Sequence, residues 1–170
     1  MKRIFNVAIV SALVSFMNFA QAETRVGYID MQKAIQSTST GKKAKSELEG
    51  EFNKKKKELE KKEADLKKMG EDLEKKKTVL SEEVLNKKQS EFQEEMMKYR
   101  ELVGKSQLDI QKKERDLTSP ILDKMKSIIT KVAKDKKFSM ILEKTEQNVL
   151  FAEADVDITD DVVKAYEKEK

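Results

Sequence analysis

Apolar residues recur at every seventh position through the middle of this chain, stop once, and then resume. Phe52, Leu59, Leu66, Leu73 and Leu80 form the first series. Leu85, Phe92 and Tyr99 form the second, with Met96, Val103, Ile110 and Leu117 at its partner position. A hydrophobic period of about 3.5 residues describes a helix whose narrow stripe packs on another helix. Two such helices around one break make a long antiparallel hairpin. An arm of this kind reaches and grips, and is poorly suited to catalysis.

The break carries capping chemistry. Lys75, Lys76 and Lys77 suit the negative end of a helix dipole, Ser81 is an N-cap type, and Glu82 and Glu83 suit the next positive end. The turn is expected at residues 78–81 and the coiled-coil arm over 42–117, each helix roughly 50 Å long at about 1.5 Å per residue. Folding there pairs Leu73 with Leu85, Leu66 with Phe92, Leu59 with Tyr99 and Leu48 with Ile110. Phe52 faces Ser106, while Lys55 and Lys62 lay their methylene stems over Val103 and Met96. A slip of one heptad is the rival register. Gly50, Gly70 and Gly104 each weaken the helix by about 1 kcal/mol relative to alanine, so the arms are expected to bend while staying helical.

The residues on either side of the arm, 23–41 and 118–170, read as one discontinuous body. Arg25 to Asp30 is a short strand, Met31 to Ile35 a helical turn, and Thr38-Ser39-Thr40-Gly41 a turn-rich linker into the arm. Ser119-Pro120 pairs an N-cap with the proline that helix starts favour, so a kink or restart is expected there. Beyond it the apolar stripe widens through Leu122, Met125, Ile128, Ile129 and Val132, which describes packing into a body. Asp135-Lys136-Lys137 turns the chain. Phe138–Glu143 and Val149–Ala152 read as two strands around a polar loop at Glu146-Gln147-Asn148. The last element is a helix with Thr159 as N-cap, Asp160 and Asp161 in its first turn, and Ile158 stapled onto Val163.

Three short strands leave open edges and cover little apolar area, so a lone unit would be marginal. The chain has no cysteine to staple it. Oligomerisation is the remaining remedy, with Val26, Tyr28, Ile29, Phe138, Met140, Leu142, Val149 and Phe151 as the expected contacts in a sheet or barrel shared between copies. The fold class is therefore α+β and mostly α: a coiled-coil hairpin inserted in a small β-strand oligomerisation body.

At the N-terminus, Lys2 and Arg3 precede an apolar stretch from Ile4 to Phe19, and Ala20-Gln21-Ala22 offers a small-x-small cleavage site. Residues 1–22 read as a secretory signal peptide, too short in its apolar core for a comfortable membrane span; an uncleaved anchor is the alternative. Removing Lys2 and Arg3 takes Lys+Arg from 36 to 34 against 32 acids, so the net charge falls from +4 to +2. With 40% charged and 38% hydrophobic residues, the chain is too polar for one compact core but ordinary for a helical hairpin.

Catalytic chemistry is hard to place on these residues. Neither histidine nor cysteine is present, which removes the commonest general base, metal ligand and thiol nucleophile. Asp155, Asp157 and Asp160 resemble a calcium loop only loosely, without its glycine and terminal glutamate. No enzyme activity, cofactor or metal is expected. Nucleic acid is disfavoured because acids and bases are interspersed along the chain and no exposed aromatics are interleaved for stacking. Lys75, Lys76 and Lys77 at the tip have two readings, a solvated helix face or contact with an anionic membrane surface. Met69 and Met96 fit the seam. Met97 and Leu108 lie off it, eleven residues apart and on one face, where soft apolar side chains could hold varied unfolded segments alongside Met96 and Phe92.

Together the leader, the opening Val26-Gly27-Tyr28-Ile29-Asp30 strand, the charged hairpin and the closing Ile158-Thr159-Asp160-Asp161-Val162-Val163 helix resemble the Skp/OmpH periplasmic chaperones. The Phe138–Ala152 strand-loop-strand after a Pro120-initiated helix is the strongest local likeness. The resemblance covers essentially the whole mature chain. It implies a jellyfish-shaped homotrimer in the periplasm, with a small β-barrel body and three hairpins around a cavity. There, unfolded outer-membrane proteins would be held without ATP. The near balance of charge implies a weaker pull on acidic clients than a strongly basic member would exert, and no lipopolysaccharide site is carried over. A coiled-coil envelope spacer without clients is the structural alternative.

Overall fold

A computed structural model describes residues 24–145 and 147–169. The signal peptide expected at 1–22 and Glu146 of the expected loop lie outside them. Strand β1 (Val26–Ile29) leads directly into helix α1 (Met31–Ser37) because Asp30 caps it, its Oδ1 accepting from the Lys33 N–H at 2.8 Å. Thr38-Ser39-Thr40-Gly41 is not a linker. Thr38 is the N-cap of helix α2 (Ser39–Lys76), accepting from the Gly41 N–H at 3.0 Å while donating to the Ile35 carbonyl at 2.8 Å. A polar run that reads as a loop is here a two-helix elbow. Gly41 makes it possible, since a Cβ at that position would lie 1.9 Å from the Ile35 carbonyl oxygen.

Helix α2 turns at residues 77–81, where the tip was expected, and returns as helix α3 (Glu82–Asp135). Ser81 sits at the N-cap position but makes no side-chain capping bond; Glu82 and Glu83 supply the negative charge of the first turn. The return helix runs 54 residues without a restart at Pro120. Inside a helix proline withholds its N–H from the carbonyl four residues back and crowds that carbonyl with its ring, at about 3 kcal/mol. Just beyond it, Ile121, Met125 and Ile128 are all buried in one stripe, and that packing offsets the cost. Thus α3 is both the outer half of the hairpin and a central beam of the body.

At its far end α3 stops in a Schellman motif. Phe138 N–H donates to the Ala133 carbonyl (2.9 Å), Lys137 N–H donates to the Lys134 carbonyl (3.1 Å), and Lys137 takes φ of 57°. Strand β2 (Met140–Glu143) then pairs parallel with β1, Val26 opposite Met140 and Ile29 opposite Glu143. The whole arm is therefore the crossover that a parallel pair requires. The strand expected at Val149–Ala152 is not formed. Both sides of β1 are already occupied, by β2 and by a parallel bridge from Tyr28 to Asp157, and among the described residues the 149–152 segment pairs with no strand, the outer edge of β2 included.

A 3-10 turn (Ala154–Val156) and helix α4 (Thr159–Lys168) complete the body. Thr159 does not cap α4. Its hydroxyl accepts from the Asp30 N–H (3.0 Å), and Asp157 Oδ1 accepts from the Thr159 N–H (2.8 Å) in its place. One threonine thereby ties the last helix to the end of the first strand. The core gathers Ile29, Ala34, Ala44, Met125, Ile128, Phe138, Ile158, Val162 and Tyr166 from every helix and from β1. At the root of the arm, the Glu167 carboxylate accepts from both the N–H and hydroxyl of Ser39, at 2.6 and 3.0 Å, where the α2 dipole favours a negative charge.

Candidate functional site

The hairpin seam differs in register from the heptad reading. Phe92 lies over Gly70, with its ring 3.6 Å from where a Cβ would stand, one turn nearer the tip than its expected partner Leu66. Lys55 lines the same groove as Val103, and its ammonium meets Asp109 at 2.8 Å with the side chain 19% exposed. Lys62 similarly approaches Glu95 at 3.9 Å, and Lys113 approaches Glu47 at 3.2 Å. A lysine drawn into an apolar seam needs a carboxylate beside it, and this requirement selects the register. The Asp109 hydrogen bond holds the Lys55 ammonium above its ordinary pKa, and the same bond holds the Asp109 carboxyl below its own.

Phe52 and Val103 are partly exposed. They rim a groove with Leu59 and Ile110 whose floor includes Ser106. The Ser106 hydroxyl is buried and makes no hydrogen bond among the described residues.

Met97 and Leu108 are 63% and 66% exposed on α3, on the side away from α2. They belong to a longer pattern. Asn86, Ser90, Gln93, Met97, Gly104, Leu108 and Gln111 follow alternating three- and four-residue steps, with one step missed at Arg100 and Glu101, and all seven are exposed. Apart from the charged residues at that missed step, this second stripe is uncharged in a chain whose residues are 40% charged. Amide and hydroxyl side chains on it can donate to and accept from a peptide backbone, while methionine and leucine offer deformable apolar contact. Phe92 serves both faces, half-buried over Gly70 and also lining a shallow depression with Asn86, Gln89, Ser90 and Met97. Met96 stays half-buried in the seam.

The tip lysines Lys75, Lys76 and Lys77 are all exposed; Lys76 also pairs with Asp72 at 3.3 Å, and Lys77 is the C-cap of α2. Of the residues expected between copies, Val26, Met140, Leu142 and Phe151 are exposed, Phe151 to 81%. Val149 is half-buried and Tyr28 nearly buried. Ile29 and Phe138 face the chain's own core, so they offer nothing to a second copy. Sequence reading missed Leu150, which is 92% exposed; its place in the apolar run Val149-Leu150-Phe151 was the available signal. With Val26, Leu142 and Val149 it borders an apolar groove beside the strands.

The aspartates once compared with a calcium loop are held by protein partners. Asp155 meets Arg25 at 3.5 Å and Asp160 meets Lys33 at 3.1 Å. Burial pushes the Asp157 carboxyl up, but hydrogen bonds from the Thr159 hydroxyl and amide and from Tyr28 outweigh it and leave the carboxyl below its ordinary value. Burial, and then the Asp157 charge, push the Tyr28 phenol up. Among the described residues no cluster of acids is arranged to hold a metal ion, and no helix is long and apolar enough to cross a membrane.

The family profile described as outer membrane protein (OmpH-like) matches residues 25–166. No curated protein matches the chain. A crystal structure from Caulobacter crescentus CB15, provisionally described as an outer membrane chaperone (OmpH-like), superposes with a TM-score of 0.72 at 22% identity, covering 85% of each chain. At that identity the likeness concerns the fold: a long helical hairpin on a small strand-bearing base.

Proposed function

This chain belongs to the OmpH-like outer membrane protein family, and from that premise we propose that it is a periplasmic holdase chaperone for unfolded outer-membrane proteins. The uncharged outer stripe of α3 carries the reading. A solvated spacer has no use for Met97 and Leu108 at two-thirds exposure in a row of amides and hydroxyls. A client in extended form can lay apolar side chains on those two, roughly 16 Å apart along the helix axis, and satisfy its peptide groups on Asn86, Ser90, Gln93 and Gln111. Many weak contacts of this kind hold without a pocket, a cofactor or ATP, and the reaction class is binding, not catalysis.

The base, residues 23–41 and 118–170, is the oligomerisation body. The outer edge of β2, with exposed Met140 and Leu142, and the neighbouring Leu150 and Phe151 are apolar surface that other copies would cover. Three copies around an axis would place three hairpins about one cavity. Export by the leader at 1–22 puts that cavity in the periplasm.

A urea-diluted porin tests the reading. The purified protein is expected to suppress aggregation without ATP at a threefold molar excess of trimer; unchanged aggregation refutes it. Crosslinking from Met97 to the porin separates a client-binding face from a client-free spacer.

A further inference from the structure

The Ser106 hydroxyl is the one buried side-chain polar atom without a hydrogen-bond partner among the described residues, and the residue is 4% exposed. Such a group calls for an explanation, because burial strips its water and the seam returns nothing. Ser106 lines a groove between α2 and α3 of about 470 Å³, within the range of about 300–1,000 Å³ that encloses small organic groups. Phe52 and Leu59 form one wall, Val103 and Ile110 the other. Phe52 and Val103 are 55% and 39% exposed, so an entering group displaces them without opening the core of the body. Gln107 and Gln111 stand at the rim. Gln111 also belongs to the outer stripe of α3, and the groove and the stripe are continuous through it.

We propose that this groove holds the apolar row of an extended client strand and reads a tyrosine in that row through Ser106. The inference rests on the holdase reading and names the client feature that is recognised. Side chains on one face of an extended strand recur about every 6.8 Å. The α3 side of the groove, Val103 to Gln111, runs roughly 12 Å at about 1.5 Å per residue, which leaves room for two of them. Strands of outer-membrane barrels alternate apolar and polar residues, and aromatic residues flank the apolar band. Unfolded, such a strand offers a row of apolar side chains that ends in an aromatic ring. A tyrosine O–H can both donate to and accept from the serine hydroxyl. Phenylalanine leaves that hydroxyl unpaired, and a tryptophan N–H only donates, which leaves the serine proton without an acceptor.

The test compares two fluorescein-labelled peptides of about ten residues, the length of a barrel strand. Serine alternates with leucine in both, and one central leucine is replaced by tyrosine or by phenylalanine. Fluorescence anisotropy with the mature protein is expected to show the tyrosine peptide binding about fivefold more tightly, the worth of one net hydrogen bond. Ser106→Ala, which should fold at least as stably as wild type, is expected to bring that ratio to about one. Phe52→Ala, at an exposed position, should weaken both peptides several-fold. No binding of either peptide, equal affinities in wild type, a ratio unchanged by Ser106→Ala, or no loss with Phe52→Ala would each overturn the proposal. So would free p-cresol binding as tightly as the tyrosine peptide, which would make the occupant a small phenol. The porin assay separates the two readings. Suppressed aggregation with equal peptide affinities leaves the holdase and removes the groove. A tyrosine preference that Ser106→Ala abolishes, with unsuppressed aggregation, keeps the groove as a strand-binding site and removes the holdase.

Discussion

One chemical change, glycine to alanine, is expected to have opposite effects at two places on α2. At position 41 the new Cβ would stand 1.9 Å from the Ile35 carbonyl oxygen and 2.8 Å from its carbon. Carbon and carbonyl oxygen come into contact at roughly 3.3 Å, so α1 or the first turn of α2 must move by more than about 1 Å. Neither is free to do so, because Ala34 on α1 and Thr38 between the helices are both fully buried. Forced movement in a packed region costs about 1–3 kcal/mol, and disturbing the Thr38 cap adds about 1 kcal/mol. The better helix propensity of alanine returns about 1 kcal/mol. Gly41→Ala should therefore lose about 1–3 kcal/mol. At position 50 nothing lies within 4 Å of the built Cβ, so Gly50→Ala should gain about 1 kcal/mol. Urea titration followed by helical circular dichroism at one protein concentration reads both, with midpoints expected to move in opposite directions. If Gly41→Ala unfolds within about 0.5 kcal/mol of wild type, the elbow is not as tight as described and its role in aiming the arm is wrong.

Other substitutions test separate joints. Ser106→Ala removes a buried hydroxyl that has no partner, so melting of the arm should rise, by about 1 kcal/mol in stability; a fall would mean the hydroxyl is satisfied. Lys137→Gly relieves the left-handed residue of the Schellman motif and should also add about 1 kcal/mol by thermal melting. The depressed Asp157 and Asp109 carboxyls contribute stability that is complete above their unfolded pKa of about 3.9 and lost as pH falls through the lower folded values. The melting temperature should therefore hold from neutral pH to about 5 and drop below about 4, and Asp157→Asn should make that acid-side drop shallower. Met97→Ser/Leu108→Ser changes exposed residues and should shift stability by no more than about 0.5 kcal/mol while weakening suppression of porin aggregation several-fold; unaltered suppression would exclude that face.

The hairpin and its tip were legible because leucines at heptad spacing have one structural use and lysines followed by Ser81-Glu82-Glu83 mark facing helix ends. Register was not legible from apolar residues alone, since the Lys55–Asp109 pair sets it, and a charge contact is invisible to a hydrophobic pattern. The restart expected at Pro120 is absent for a related reason: Ile121, Met125 and Ile128, whose burial depends on distant α1 and α4, carry the helix through it. Thr159 was read as a helix cap because a threonine near a helix start can serve either that helix or a strand passing beside it, and here its hydroxyl accepts from the Asp30 N–H; Thr38, read as part of a linker, caps α2. Val149–Ala152 has strand composition, yet among the described residues it pairs with no strand, and the outer edge of β2 stays open. The outer stripe of α3 was present in the residue order throughout, but read linearly its members are scattered among charged residues, and only the helical turn lines them up.

The native mass of the mature particle, measured alone and after mixing with an unfolded porin, bears most directly on the central claim that several copies complete one base and their arms enclose a client. The expected result is three chains alone and three chains plus one porin in the mixture. A stable monomer whose mass is unchanged by the porin would contradict it.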